Sequence, residues 1–199
     1  MNFYQTIAGN FQATIEAVAM SVDTLAGPIE RGSQMMADSL LVDRKIIVCG
    51  NGPDSALGQL LVCNLVNRLE NDRPALPALA LGHDGATTTA ISTTQSLGDI
   101  FSRQVRALGQ PGDILLCITS GTGHSNLIRA VQAAHERNMD VIALSNPDSE
   151  ELSTLMRSED AEIRVIAQRQ ARVIEIQAMV LHCLCDLVDH RLFGSYAQD

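Results

Sequence analysis

The stretch Ile114–Ala130, ILLCITSGTGHSNLIRA, restricts the fold more than any other part of the chain. Its unbroken apolar run, Ile114 to Ile118, reads as a strand buried on both faces, which is the habit of parallel sheets. A loop of hydroxyls and glycines follows, Thr119-Ser120-Gly121-Thr122-Gly123. His124-Ser125-Asn126 then open a helix whose Leu127, Ile128 and Val131 face the sheet. Strand, small-residue loop and helix N-terminus together make an anion site. Backbone N–H groups converge there, the helix dipole adds positive potential, and hydroxyls donate further bonds. A phosphate is the natural ligand. The stretch has no lysine, so it is not the lysine-bearing phosphate loop of nucleotide hydrolases.

The rest of the chain repeats the alternation. Strands are predicted at Lys45–Cys49, Ala75–Leu81, Met139–Ser145 and Glu162–Ile166, with helices at Ala56–Leu69, Ala86–Leu108 (broken near Gly98, with Asp99 as a restarting cap) and Glu150–Met156. The fold class is therefore α/β, a doubly wound five-stranded parallel sheet flanked by helices. Before the first strand, Ile7, Phe11, Ile15, Val18, Val22, Leu25 and Ile29 recur at helical spacing over Phe3–Ile29. Gly27-Pro28 is expected to kink or end that helix, with a second running from Ile29 to Leu41. A long apolar stripe on a helix outside the crossovers wants a partner, either the sheet or another subunit. A final helix spans Arg169–Phe193, with Val173, Ile176, Val180, Leu184, Leu187 and Val188 on one face. The domain reading is a single unit over 1–199, with N-terminal helices at 1–41, the sheet core at 45–166 and the C-terminal helix at 169–193.

Ligands in such sheets bind beyond the C-terminal strand edge. Two loops leave strands there, Gly50-Asn51-Gly52-Pro53-Asp54-Ser55 and Thr119–Ser125, and they should converge on one site. Asp54 or Ser55 is expected to cap the following helix. The candidate phosphosugar-binding residues are Asn51, Gly52, Ser55, Ser120, Thr122, Gly123, His124 and Ser125. The net charge of −9 argues against nucleic acid as a direct partner, because duplex binding needs a basic face. No signal peptide and no apolar run of membrane-spanning length is present, so the expected location is cytoplasmic, without a membrane partner. The five cysteines include no CxxC pair and read as free thiols, mostly buried.

At the two loops the sequence resembles the sugar isomerase (SIS) domain family. Within that family it is most similar to the phosphoheptose isomerases and to the replication initiator-associating protein that shares their fold. The similar stretches are CGNG (Cys49–Gly52), NRLENDRPALPALAL (Asn67–Leu81), FSRQVRALGQPGDILL (Phe101–Leu116), the spaced Ser120, Thr122, Gly123 and Ser125, EIRV (Glu162–Val165) and HCLCDLVDHRLFGS (His182–Ser195). The resemblance implies a homotetramer, with first and last helices in a shared bundle and sites between subunits. It also implies an aldose–ketose shift on a seven-carbon sugar phosphate, with zinc held in related isomerases.

The family's GNGGSxxDAxHxxxE and ARIQExH patterns carry proton transfer and metal. On this chain their histidine, glutamate, glutamine and histidine fall on Leu60, Asn64, Ile174 and Gln177. None of these titrates near neutral pH, and the two aliphatic ones cannot ligate zinc. The expectation is therefore a catalytically degenerate protein with no cofactor and no metal, which binds a sugar phosphate, a protein partner, or both. By resemblance that partner is a replication initiator, met by Leu192 and Phe193. The alternative is a sedoheptulose 7-phosphate isomerase of lipopolysaccharide heptose synthesis. Its acid and base would be relocated to His83, His124 or His182, the last expected inside the helical bundle.

Overall fold

The computed structural model describes residues 2–194. Met1 and residues 195–199, which include Ser195 of the family-like C-terminal stretch, lie outside the described residues. Five strands form one parallel sheet: β1 (Ile46–Gly50), β2 (Ala78–Ala80), β3 (Ile114–Ile118), β4 (Asp140–Ser145) and β5 (Ala161–Arg164). Their order is β2-β1-β3-β4-β5, and every pairing is parallel. The chain steps from β1 to one side and returns to the other for β3. The switch point therefore lies between β1 and β3, whose ends pair at Gly50 and Ile118.

Strand residues alternate between two cores, which explains why the strands read as continuous apolar runs. Ile46, Val48, Ile114, Leu116, Ile142, Leu144 and Ile163 point to one face. There they meet α1 (Phe3–Leu41), α2 (Pro53–Val66) and α7 (Gln170–Phe193). Ile47, Cys49, Leu115, Cys117, Val141 and Ala143 point to the other. That face is covered by α3 (Gly85–Thr94), α4 (Ile100–Leu108), α5 (Ser125–Glu136) and the short α6 (Glu150–Ser153). Each fully buried large aliphatic contributes about 1.5–3 kcal/mol.

Several boundaries differ from the sequence reading. α1 runs unbroken through Pro28 to Leu41. Proline removes one helical hydrogen bond, but the following turns are held by packing. Met36, Ala37 and Leu40 are buried, and a Cβ on Gly32 would meet Ile163 at 3.3 Å and Leu184 at 3.4 Å. α2 begins three residues earlier than predicted because Pro53 suits the first helical position, where no N–H is needed. β2 shrinks to three residues between Pro77 and Gly82. The predicted helix Ala86–Leu108 divides into α3 and α4 across a 3-10 turn at Leu97–Asp99. Asp99 makes no capping bond; it accepts from Ser96 and pairs with Arg129 at 2.9 Å.

Three of the five cysteines, Cys49, Cys117 and Cys185, are buried, and Cys63 and Cys183 are exposed; all are free. The hydrogen bond with Cys117, together with burial, pushes the Cys49 thiol well above its ordinary value. Burial, with the charge of Asp189 beside it, pushes Cys185 up to about 12. Neither behaves as a nucleophile near neutral pH. The outer face of α1 stays bare: Phe3, Tyr4, Ile7, Phe11, Ile15 and Val22 are exposed. No helix among the described residues is long and apolar enough to cross a membrane.

Candidate functional site

The two predicted loops do meet. β1 ends at Gly50, where a Cβ would lie 2.8 Å from the Asp54 backbone, so only glycine lets α2 start this close to the strand. Gly52, at φ +53°, is the N-cap of α2 and supplies the left-handed turn. Across the switch point, His124 is the N-cap of α5 and makes no side-chain capping bond. Leu127 N–H bonds back to the His124 carbonyl at 2.9 Å, so the Ser125 and Asn126 amides are the ones left for solvent or a ligand. Asn51 and Asn126 tie the two turns with reciprocal amide bonds of 3.0 Å and 2.8 Å.

Asn51, His124 and Ser125 line one cavity of about 270 Å³, together with Leu97, Gly98 and Asn126. The 3-10 turn closes over Ser125, whose Oγ lies 3.4 Å from where a Cβ on Gly98 would be. Thr122 and Gly123 belong to the same loop, Thr122 exposed and Gly123 half-buried. Ser120 differs from the expectation. It is buried beneath the loop, where its hydroxyl accepts from Gln170 Nε2 at 3.1 Å. Ser55 stands apart, beside His83: Ser55 Oγ is 3.2 Å from His83 Nε2, and Gln59 Nε2 is 2.7 Å from Nδ1. Hydroxyl and amide can each donate or accept, so either imidazole tautomer is accommodated.

Asp54 does not cap α2, because it lies inside the helix. Its Oδ2 accepts the Ser120 N–H across the switch point at 3.1 Å. Its Oδ1 is buried without a partner. Burial pushes its carboxyl above the usual range, against the lowering pull of the Ser120 bonds and of His124.

The loop is also held from residues far away in sequence, which the sequence reading missed. Asn146, at the end of β4, donates to the carbonyls of Thr119 at 3.1 Å and Gly121 at 2.9 Å. Gln177 of α7, fully buried, donates to Thr119 O at 2.9 Å. Asn146 sits at the same strand edge as the loops, and that placement was the available signal. The glutamine side chains carried none.

Gln177 is thus a loop support. Asn64 is also buried, with its carbonyl accepting from Arg73 Nη2 at 2.7 Å. Leu60 and Ile174 are half-buried aliphatics. These four side chains do not fit a zinc ion. Among the described residues no three His, Cys, Asp or Glu side chains gather where they could hold a metal. His182 is exposed rather than interior, because it lies on the outer face of α7. Leu192 packs partly against the core, and Phe193 is 36% exposed.

Comparison with known proteins extends the geometry. The SIS domain family matches residues 10–146. The phosphoheptose isomerase of Chromohalobacter salexigens is 45% identical over 195 residues, covering 98% of this chain and 99% of the relative. That of Coxiella burnetii is 43% identical over 196 residues, covering 98% of each. The structure of a phosphoheptose isomerase from Francisella tularensis superposes with a TM-score of 0.91 at 35% identity, covering 96% of this chain and 100% of that one. These relatives overturn the expectation of a protein without catalysis that works by gathering a replication initiator. They are named for an enzyme, and they match this chain from end to end. The four altered helix positions misled because they bear on one way of moving a proton, whereas identity across the whole chain bears on the activity. The chain belongs to the SIS domain family.

Proposed function

We propose that this protein is a phosphoheptose isomerase, interconverting sedoheptulose 7-phosphate and an aldoheptose phosphate. The observation that carries the reading is the 45% identity over essentially the full length of a relative so named. The loop geometry supports it: the N-terminus of α5, with the Ser125 hydroxyl and the free Ser125 and Asn126 amides, opens on a cavity that suits the phosphate end of a sugar. Ser125, Thr122 and His124 are the phosphate donors of this reading, with Asn51 holding the opposite wall.

The reaction lifts a proton from C1 of the ketose, passes through an enediol and returns a proton at C2. It needs a group that titrates near the working pH. Leu60, Asn64, Ile174 and Gln177 supply none. His83 places an imidazole at the same sheet edge, with both ring nitrogens partnered by groups that serve either tautomer. We assign it the proton transfer. Five free thiols suit a reducing, cytoplasmic setting. A homo-oligomer, tetrameric by resemblance, is part of the same reading and would cover the bare apolar face of α1.

Running the reaction in deuterium oxide tests the chemistry. The account expects solvent deuterium at C2 of the aldose product. Conversion without any label would rule out an exchanging side-chain base such as His83.

A further inference from the structure

The switch point of this sheet already holds an anion. The N-termini of α2, fourteen residues long, and α5, twelve residues long, both point their positive ends there. Between them lies Asp54, 6% exposed, with Oδ2 on the Ser120 N–H at 3.1 Å and Oδ1 buried and unpartnered. A carboxylate in that place does what an incoming phosphate would do. It takes a loop amide and neutralises the helix dipoles. An unpartnered buried carboxylate oxygen is costly, and a proton is the smallest group that satisfies it.

We propose that Asp54 is a resident anion of the phosphate loop, which must take up a proton for the loop to bind a phosphate ester tightly. The inference rests on the phosphosugar reading of the same loop. It deepens that reading by stating that ligand and proton bind together. Asp54 acts through charge and not by touching the ligand. Oδ1 receives the proton, and Oδ2 keeps the Ser120 N–H, so the loop keeps its shape while its net charge rises by one. Burial already favours the protonated form. Of the titratable groups around it, His124 of α5 bears on its charge, while α7 presents the neutral Gln170 and Gln177 to the same loop. His124 also lines the cavity, so it needs its own control.

The test uses the full chain and sulfate, an anion that does not itself titrate in the working range. Affinity is measured by isothermal titration calorimetry from about pH 5 to about pH 8, the window in which histidine also changes charge. The proteins are wild type, Asp54→Asn, Asp54→Ser and His124→Gln. Asparagine keeps an acceptor for the Ser120 N–H and removes the charge. At the alkaline end the account expects Asp54→Asn to bind sulfate about 10-fold or more tightly than wild type. Wild-type affinity should climb toward the variant's as pH falls, by up to about tenfold per unit. His124→Gln should retain that climb, Asp54→Asn should lose most of it, and Asp54→Ser should behave like the asparagine variant. Equal affinities in wild type and Asp54→Asn across the range, with turnover of sugar phosphate intact, would overturn the role of Asp54 and leave the isomerase standing. No binding of sulfate or sedoheptulose 7-phosphate by any of these proteins would overturn both.

Discussion

Asn51 and Asn126 hold each other by two side-chain amide bonds, 3.0 Å and 2.8 Å, across the switch point of the sheet. One residue opens the turn after β1, and the other lies in the first turn of α5. Truncating either leaves the other's amide with two lost bonds, and Asn126 is only 5% exposed. Asn51→Ala should therefore cost about 1–3 kcal/mol. It should also raise KM for the sugar phosphate more than it lowers kcat, because it loosens the phosphate end of the cavity. Urea denaturation and steady-state kinetics check both. An unchanged KM would separate this clamp from ligand binding.

Arg73 and Asp189 form a buried ion pair at 2.9 Å, with side chains 0% and 6% exposed. Arg73 also donates to the carbonyls of Leu65 at 2.6 Å and Asn64 at 2.7 Å, so the connection before β2 is pinned to both α2 and α7. Burial pushes the Asp189 carboxyl up, and the Arg73 guanidinium pulls it down. Breaking a buried pair from one side costs about 3–5 kcal/mol. Arg73→Met should sit at that level in thermal or urea unfolding. The double variant with Asp189→Leu should recover part of the loss, since no buried charge is then left alone. A double variant worse than the sum of the singles would contradict this.

The raised carboxyl of Asp54 has a stability consequence with a definite sign. The folded state holds this proton at pH values where the unfolded chain, with an ordinary Asp near about 3.9, has released it. The contribution to stability is fully present below the unfolded value and is lost as pH rises through the folded one. Asp54→Asn should therefore exceed wild type in stability at neutral pH, with the gap closing toward acid. Urea melts at several pH values measure it, and a gap independent of pH would contradict the assignment.

The bare stripe Phe3, Ile7, Phe11 and Ile15 recurs every four residues along α1. A face of this kind on a lone chain in water would be an aggregation hazard. Sedimentation velocity should show an oligomer, a tetramer on the resemblance. Phe11→Glu combined with Ile15→Glu should shift the chain to smaller species. A wild-type monomer would refute the oligomeric reading.

Much of this was legible in the residues. Apolar runs mark β1, β3 and β4, which are buried on both faces, while β2 and β5 are only partly buried and follow from the strand–helix alternation; strand order puts the two loops at one sheet edge. Pro28 was misread because local propensity favours a break, whereas packing of Gly32 and Met36 keeps the helix whole. The helix start offers Asp54 or Ser55 as a cap, because both residue types often cap helices, but Asp54 does not cap. Its real partner, Ser120, is 66 residues away, and no local signal points to it. Gln177 and Gln170 support the loop from the last helix for the same long-range reason. Four changed positions point away from catalysis, whereas the likeness over the whole chain is to proteins named phosphoheptose isomerases.

The most direct measurement is conversion of sedoheptulose 7-phosphate by the pure protein, with the aldoheptose phosphate detected directly. The account predicts turnover well above a protein-free control, reduced about 10²–10⁴-fold by His83→Ala with the protein still folded. No conversion by wild type, under conditions where a genuine phosphoheptose isomerase is active, would contradict it. Undiminished turnover in His83→Ala would keep the isomerase and remove its proposed base.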